Sequence, residues 1–427
     1  MNILLLGAGG REHAFAQKIS KSAHCEKLFI APGNPGTAQF GENITITVND
    51  FEAIAAFCKV KGIQMLVVGP EDPLVNGIFD YFKSDIELSN IIVVGPSAAG
   101  AQLEGSKAFA KAFMERHGIP TAGYREFNKS NFDEGVSYLR NHSLPIVLKA
   151  DGLAAGKGVV IAQSHEEALH TFEEMIQLSL FGKAGERVVV ESFLTGVELS
   201  VFALTDGKKY VLLPDAKDYK RIGRGDTGPN TGGMGAVSPV PFADDVFMGK
   251  VIKQVVEPTI KGIAEEGLVY HGFVFFGLIK VEGEPFVIEY NCRMGDPETE
   301  VVLPRLTSDL VELFLAMAHG KLENSLIETD KRTAATIVLV SGGYPGDFEK
   351  GKVISGLDEA SGDQTMAYHA GTMEREGSYY TNGGRVAAIT SYGSTIQEAV
   401  STSLTKIQSI HFDKMDFRED IGYEFLG

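Results

Sequence analysis

Residues 149–160 read Lys-Ala-Asp-Gly-Leu-Ala-Ala-Gly-Lys-Gly-Val-Val, close to the phosphate loop of nucleoside triphosphatases but failing it twice. That loop needs four residues between its glycines and a Ser or Thr after the lysine, so that backbone N–H groups ring the phosphates and a hydroxyl takes magnesium. Here three residues separate Gly152 from Gly156, and Gly158 follows Lys157. The flanking runs, Pro145-Ile146-Val147-Leu148 and Val159-Val160-Ile161-Ala162, are short, apolar and β-branched. The segment therefore reads strand, glycine loop, strand, whereas a phosphate loop leads into a helix N-terminus. Such a loop is either a flap closing over phosphates from one side or a flexible hairpin turn.

Upstream, the first hundred residues alternate strand and helix in the manner of a parallel α/β sheet. Four apolar runs, Asn2–Leu6, Lys27–Ala31, Met65–Val68 and Ile91–Val94, each end in a turn containing glycine. Ligands collect at the carboxyl edge of such sheets. The first turn, Gly7-Ala8-Gly9-Gly10-Arg11-Glu12, has Glu12 where a dinucleotide fingerprint has its third glycine, so an anion at the helix N-terminus is expected there more than a nicotinamide cofactor. Lys107–His117 reads as a helix with Phe109, Ala112 and Phe113 on its apolar face, and Ser164 with Glu167 forms a capping box opening a helix through about Leu178.

Downstream, residues 214–241 hold six glycines and four prolines. A loop of that length is functional or disordered, and Lys217, Asp218, Lys220, Arg221 and Asp226 favour function. A helix is expected over Asp245–Glu265, a hairpin over Gly272–Asn291 turning at Glu282-Gly283-Glu284-Pro285, and a helix capped by Ser394 and Gln397 near the end.

The 427-residue length suggests two to four domains, and 44% hydrophobic with 22% charged residues is the composition of a globular protein. No run approaches the length of a membrane helix, and the N-terminal apolar stretch is short and lacks a basic flank, so a cytoplasmic protein is expected. Cys25, Cys58 and Cys292 are too scattered for a disulfide framework or zinc site. A formal charge of −17 argues against a nucleic-acid partner. It also means that a bound triphosphate would need local cations.

Candidates for that task are present. Glu289 and Asn291 lie two apart on the returning hairpin strand and so share a face. Two hard oxygen ligands suit magnesium, which takes its remaining ligands from phosphates and water. Arg293 follows with the same parity if the strand continues, and could stabilise transferring charge. Lys149 ends an apolar strand, and Lys107 lies in a helix first turn, where a cation opposes the dipole. Both positions call for an anion.

Taken together, Lys149, the glycine loop, Glu191-Ser192-Phe193-Leu194, Glu198 and the strand bearing Glu289 and Asn291 resemble the ATP-grasp ligases. Seven ordered segments are similar more narrowly to the glycinamide ribonucleotide synthetase (phosphoribosylamine-glycine ligase) family: GAGGREHA, PGNPG, GPEDPL, EGSK, KADGLAAGKGV, GPNTGGMGAVSP and GDPETE. They span most of the chain, from residue 3 to at least residue 304.

The resemblance implies an α/β and α+β multidomain fold. A Rossmann-like N-terminal domain would cover 1–104, the ATP-grasp small lobe with its flap 105–188, the large lobe with the metal site 189–326, and a small β-rich domain 327–427. It implies ATP, glycine and 5-phosphoribosylamine as substrates, with magnesium or manganese as cofactor, in a monomer that meets neither nucleic acid nor membrane. Lys107, Lys149 and the flap residues Gly152, Gly156, Lys157 and Gly158 would hold ATP phosphates. Glu191 and Leu194 would meet adenine through the backbone, and Glu198 the ribose. Glu289 and Asn291 would bind metal, and Arg293, Asp296 and Lys220 would face the reacting groups. Gly10, Arg11, Asn34, Asp215, Gly232, Gly233 and Met234 would seat the substrates.

The pattern departs from the family in Lys217-Asp218-Tyr219-Lys220, where Gln-Asp-His-Lys is usual, and in Met294. The Phe273–Lys280 strand also carries no carboxylate to face Glu289, leaving a second metal's ligands open. Competing readings are another ATP-grasp carboxylate-amine ligase, such as a carboxylase of aminoimidazole ribonucleotide, and a silent nucleotide sensor.

Overall fold

The computed structural model describes residues 1–153, 158–178 and 186–425. Its largest sheet begins with five parallel strands in the order Glu42–Asn43, Lys27–Pro32, Asn2–Gly7, Ile63–Val68, Ile92–Pro96. Ile3, Leu4, Leu5 and Leu6 are all fully buried, as expected of a parallel strand covered on both faces. The sheet then continues across a sequence gap of more than 170 residues. Ile92–Pro96 pairs antiparallel with the start of the Tyr270–Val281 strand through Tyr270–Pro96 and His271–Gly95.

Tyr270–Val281 is the longest strand and joins two regions of the chain. Val197–Thr205 pairs along one edge, and the Glu284–Asn291 strand returns along the other. The predicted hairpin is present, turning at Glu282-Gly283. A separate four-stranded antiparallel sheet, Tyr124–Asn128, Arg187–Ser192, Ile146–Ala150 and Val159–Ala162, carries the helices Phe132–Asn141 and His165–Ile176 over a core of Phe127, Leu148, Phe172 and Val190. Ile146–Ala150 and Val159–Ala162 pair antiparallel, Lys149 opposite Val159. The glycine segment thus links two strands, as its flanks predicted.

Residues 214–241 are more regular than expected. Lys217–Asp218 and Gly235–Ser238 add to the sheet of Thr333–Val340, Arg385–Gly393 and Thr365–His369, so part of the presumed loop belongs to the C-terminal sheet. Arg418, 1% exposed, fastens the remaining hairpin through Asp226 Oδ1 at 2.6 Å and the Arg221 carbonyl at 3.1 Å.

Several local expectations need correction. The last helix, Ile396–Ile407, is capped by Thr395, whose hydroxyl accepts the Glu398 N–H, not by Ser394 and Gln397. Ser164 caps its helix, but Glu167 reaches back to the Gln163 N–H, and the helix ends at Ile176. In Lys107–Arg116 the buried face is Ala108, Ala110, Lys111, Phe113 and Met114; Phe109 is only partly buried. A buried lysine in that face is the first sign of a site.

Candidate active site

The Lys107–Arg116 helix starts against the base of the glycine segment. Ser106 caps it, accepting the Phe109 N–H at 3.1 Å, while Asp151 Oδ1 accepts from the Ser106 hydroxyl at 3.0 Å and the Ala108 N–H at 3.1 Å. Lys107 Nζ donates to the Gly152 carbonyl at 2.9 Å. The carboxylate at the helix N-terminus and the carbonyl offset the misplaced cation. Gly152 has φ of +142°, a conformation side-chain-bearing residues avoid. Gly156 and Lys157 lie outside the described residues.

One turn along, Lys111 and Lys149 share a single carboxylate. Glu191 Oε2 is 3.1 Å from Lys111 Nζ and Oε1 is 2.9 Å from Lys149 Nζ, and all three residues are at most 5% exposed. Burial lowers the Lys111 pKa to about 8, against the pull of Glu191. Lys149 also donates to the Ile288 carbonyl at 3.1 Å. That carbonyl is available because Ile288 is the extra residue of a β-bulge: Glu289 pairs with Gly277 and Val287 with Leu278. The glycine opposite Glu289 also leaves its carboxylate room, since a Cβ there would lie 3.0 Å from Glu289 Cγ.

Glu289 is the electrostatic centre of this cluster. Burial raises its pKa, but Lys220, Lys149, Lys107 and Arg293 together hold it below the ordinary carboxylate range. Lys220 Nζ lies 2.9 Å from Glu198 Oε2 and 3.9 Å from Asp218 Oδ2. Burial opposes its charge, but Asp218, Glu198 and Glu289 keep it well above the usual lysine value. Glu298, buried beneath Gly295 and accepting from the Ser200 hydroxyl at 3.1 Å, is pushed up to about 8 by burial and by Asp218.

Beyond Asn291 the strand ends, and Arg293 turns toward two carboxylates. Its Nη2 is 2.8 Å from Glu104 Oε1 and its Nε 3.2 Å from Glu71 Oε2. Next to it, Arg11 Nη1 donates to the Met294 carbonyl at 3.2 Å. Asp296 Oδ1 is 2.9 Å from Arg385 Nη2, and Arg385 Nη1 donates to the Gly232 carbonyl at 2.7 Å and the Asp296 carbonyl at 2.8 Å. These contacts bring together the start of the first helix, Gly232 and the C-terminal sheet.

Among the described residues no three His, Cys, Asp or Glu side chains form a self-sufficient metal cage. Glu289 and Asn291, two oxygen donors at one strand end near Lys107, Lys149 and Lys220, fit an ion that completes its shell with other oxygens and water. No helix among the described residues is long and apolar enough to cross a membrane.

Comparison with known proteins decides the lineage. Family models described as the N, ATP-grasp (A) and C domains of phosphoribosylglycinamide synthetase match residues 1–104, 105–299 and 334–424. The chain belongs to the phosphoribosylglycinamide synthetase family. A phosphoribosylamine--glycine ligase of Vibrio vulnificus (strain CMCP6) is 46% identical over 429 residues, covering 100% of this chain and 99% of that one. The crystal structure of a Thermotoga maritima phosphoribosylamine--glycine ligase superposes with a TM-score of 0.84 at 35% identity, over 99% of this chain and 100% of the other. A Campylobacter jejuni biotin carboxylase, at 14% identity and a TM-score of 0.74 over 99% and 94% of the chains, shares the fold.

Among the expected residues, Lys107, Lys149, Lys220 and Arg293 all act on Glu289, Lys149 pairs with Glu191 and Lys220 with Glu198, Asn291 follows Glu289 on the same strand, and Arg11 feels both Arg293 and Asp296, which Arg385 ties to Gly232. Gly10 packs on Glu300, whose Oε1 would clash with any Cβ there. Gly158 carries a carbonyl that accepts the Ala150 N–H at 2.8 Å. Leu194 is half-buried in the connection between strands Arg187–Ser192 and Val197–Thr205, and Gly233 donates its N–H to Thr231 Oγ1 at 2.9 Å.

Three of the proposed substrate residues make internal contacts here. Met234 is fully buried in the core, and its backbone is used by the Tyr219 carbonyl and the Val338 N–H. Asn34, 6% exposed, donates to the Ala8 and His369 carbonyls at 2.8 and 2.9 Å and accepts the Thr37 N–H at 3.0 Å. Asp215 accepts the Val240 N–H at 2.6 Å and shares the field of Arg305. The anion expected at the first helix is internal too: Glu12 Oε2 takes the Gly9 N–H at 2.6 Å and its carboxylate packs against Gly7 and Gly69. Glu71, Glu104, Lys111, Glu298 and Arg385 are site residues that sequence reading did not single out. Of these, Glu71, Glu104 and Glu298 lie inside the quoted segments GPEDPL, EGSK and GDPETE, and Lys111 falls four residues after Lys107 on one helical face, whereas Arg385 had no such signal.

Proposed function

We propose that this chain joins glycine to 5-phosphoribosylamine at the expense of ATP, giving glycinamide ribonucleotide, ADP and phosphate, a step of purine synthesis. The observation that carries the reading is the convergence of Lys107, Lys149, Lys220 and Arg293 on Glu289, in a chain whose net charge is −17. So many cations around one carboxylate in an acidic protein suit a triphosphate and its metal.

A glycine carboxylate oxygen attacks the γ-phosphorus of ATP, and the β–γ bridging oxygen leaves with ADP. The amine of phosphoribosylamine then attacks the carbonyl of glycyl phosphate. The C–O bond breaks, phosphate departs, and the amine loses a proton. Lys107 and Lys149 hold the phosphates, Arg293 and Lys220 face the charge that moves among phosphoryl oxygens, and the 152–158 segment shields an acyl phosphate that water would hydrolyse. Glu191 and Leu194 offer backbone groups to adenine, Glu198 faces the ribose, and Gly10, Arg11, Gly232, Gly233 and Asp296 seat the amine substrate and glycine. A magnesium or manganese ion held by Glu289 and Asn291 would supply charge neutralisation at the phosphates.

The division of labour follows the segments 1–104, 105–188, 189–326 and 327–427, with the monomer as working unit in the cytoplasm. ADP formation followed by a coupled assay tests the proposal. It is expected only when glycine and phosphoribosylamine are both present; turnover that ignores glycine, or that bicarbonate supports in its place, defeats it.

A further inference from the structure

Glu104 lies on a four-residue helix, Gln102–Gly105, 9% exposed, and reaches under the end of the Glu284–Asn291 strand. Its Oε2 accepts the Cys292 N–H at 2.8 Å and the Cys292 thiol at 3.1 Å. Its Oε1 accepts from Arg293 Nη2 at 2.8 Å. The fourth contact is with Asn291. With the amide nitrogen directed inward, it donates to Glu104 Oε1 at 3.0 Å and to the Tyr290 carbonyl at 3.2 Å; the reverse orientation sets oxygen against oxygen at both. The carboxylate therefore meets only donors, and it obliges Asn291 to keep Nδ2 inward and Oδ1 on the opposite side of the amide, away from Glu104.

We infer that Glu104 is a positioning residue for the metal site, selecting the amide orientation in which Asn291 offers oxygen, not nitrogen, to a divalent ion. The inference rests on the reading of Glu289 and Asn291 as metal ligands. An asparagine ligand has one usable oxygen, and a half-turn about its last bond replaces it by an NH₂ group that cannot bind a cation. A carboxylate behind it removes that alternative. The same carboxylate holds Arg293, so the metal ligand and the guanidinium are set by one group that itself touches no substrate.

The isosteric change Glu104→Gln separates this role from simple support. The introduced glutamine must turn its own NH₂ either toward the Cys292 N–H or toward Asn291 and Arg293. The second choice invites Asn291 to reverse and present its oxygen inward. Outer partners of this kind alter metal affinity by about ten- to a hundredfold. Asn291→Asp alone sets two carboxylates face to face and is also expected to weaken binding, although it adds charge to the ligand. The double variant Glu104→Gln with Asn291→Asp restores a donor–acceptor pair and leaves one carboxylate oxygen free for the ion.

Mn²⁺ binding to the full chain in the presence of ADP, read by loss of the free-ion electron paramagnetic resonance signal, tests this. Each single variant should weaken Mn²⁺ at least about tenfold, and the double variant should recover most of the loss. A Glu104→Gln protein that binds within about twofold of wild type, against the span expected for outer partners, or a double variant weaker than both singles, overturns the inference. Near-UV circular dichroism reports folding. Should Glu104→Gln not fold, Asn291→Asp alone decides, and tighter binding by it is the contrary result. Wild-type protein that takes up no Mn²⁺ with ADP sinks the metal-site reading itself, and this inference with it.

Discussion

Replacing Glu191 by glutamine keeps the side chain's shape and removes the charge that Lys111 and Lys149 share at 3.1 and 2.9 Å. The cost can be bounded from the lysines. Moving the Lys111 pKa from 10.5 to about 8 already costs about 3.4 kcal/mol at neutral pH, at about 1.36 kcal/mol per unit. Without Glu191 its charged form becomes costlier still, but the amine can shed its proton. At pH 7 that sets a ceiling of about 4.8 kcal/mol, hence about 1.4 kcal/mol beyond the wild type.

Lys149 loses a buried charge-assisted hydrogen bond, about 1.5–3 kcal/mol, and the glutamine amide oxygen can still accept from one ammonium. The destabilisation expected at pH 7 is therefore about 2–4 kcal/mol. Its pH dependence is the sharper test. A lysine whose folded pKa is depressed contributes stability that is present above its unfolded value and lost as pH falls through the folded one. In the wild type that loss is complete near the folded value of about 8; in the variant it continues below, so the deficit should widen by up to about 1.4 kcal/mol per pH unit between pH 8 and 7. Urea unfolding of both proteins at pH 9, 8, 7 and 6 measures it. A deficit below about 0.5 kcal/mol at pH 7, or one independent of pH, refutes the shared-carboxylate account.

Glu289→Ala should lower kcat at least about a hundredfold and abolish its dependence on magnesium, while far-UV circular dichroism stays at the wild-type level; turnover that still titrates with magnesium would move the ion elsewhere. His13, buried between the first helix and the C-terminal sheet, accepts the His369 N–H at 2.8 Å, and burial together with His369 lowers its pKa from 6.5 to about 3. Its contribution is present above pH 6.5 and lost as pH falls toward 3, so between pH 7 and 5 the wild type should lose about 2 kcal/mol that His13→Gln does not lose, read by chemical denaturation.

Much of this was legible locally. The Glu289–Asn291 spacing put both side chains on one face because a strand alternates, and the bulge at Ile288 precedes the pair and leaves its parity intact. Arg293 was found, but its parity argument lapsed where the strand ended. Glu104 opens the quoted EGSK segment, but its role had no local signature: a carboxylate on a single helical turn acquires its meaning from Cys292, 188 positions away. Arg385 is likewise defined only by the docking of the C-terminal sheet on Gly232 and Asp296. At Gly7–Glu12, Glu12 is long enough to fold back over its own turn and take the Gly9 N–H, an internal partner that the spacing did not reveal. Met234 and Asn34 show the opposite hazard. Met234 is fully buried, and the Asn34 amide ties the first turn to the C-terminal sheet, contacts that no local pattern announces.

Glycine labelled with ¹⁸O in its carboxylate tests the central claim most directly. If that carboxylate attacks the γ-phosphorus and the amine later displaces phosphate at carbon, each phosphate released carries one labelled oxygen and the product amide retains the other. Phosphate free of ¹⁸O, formed at the rate of the ligated product, would contradict the account.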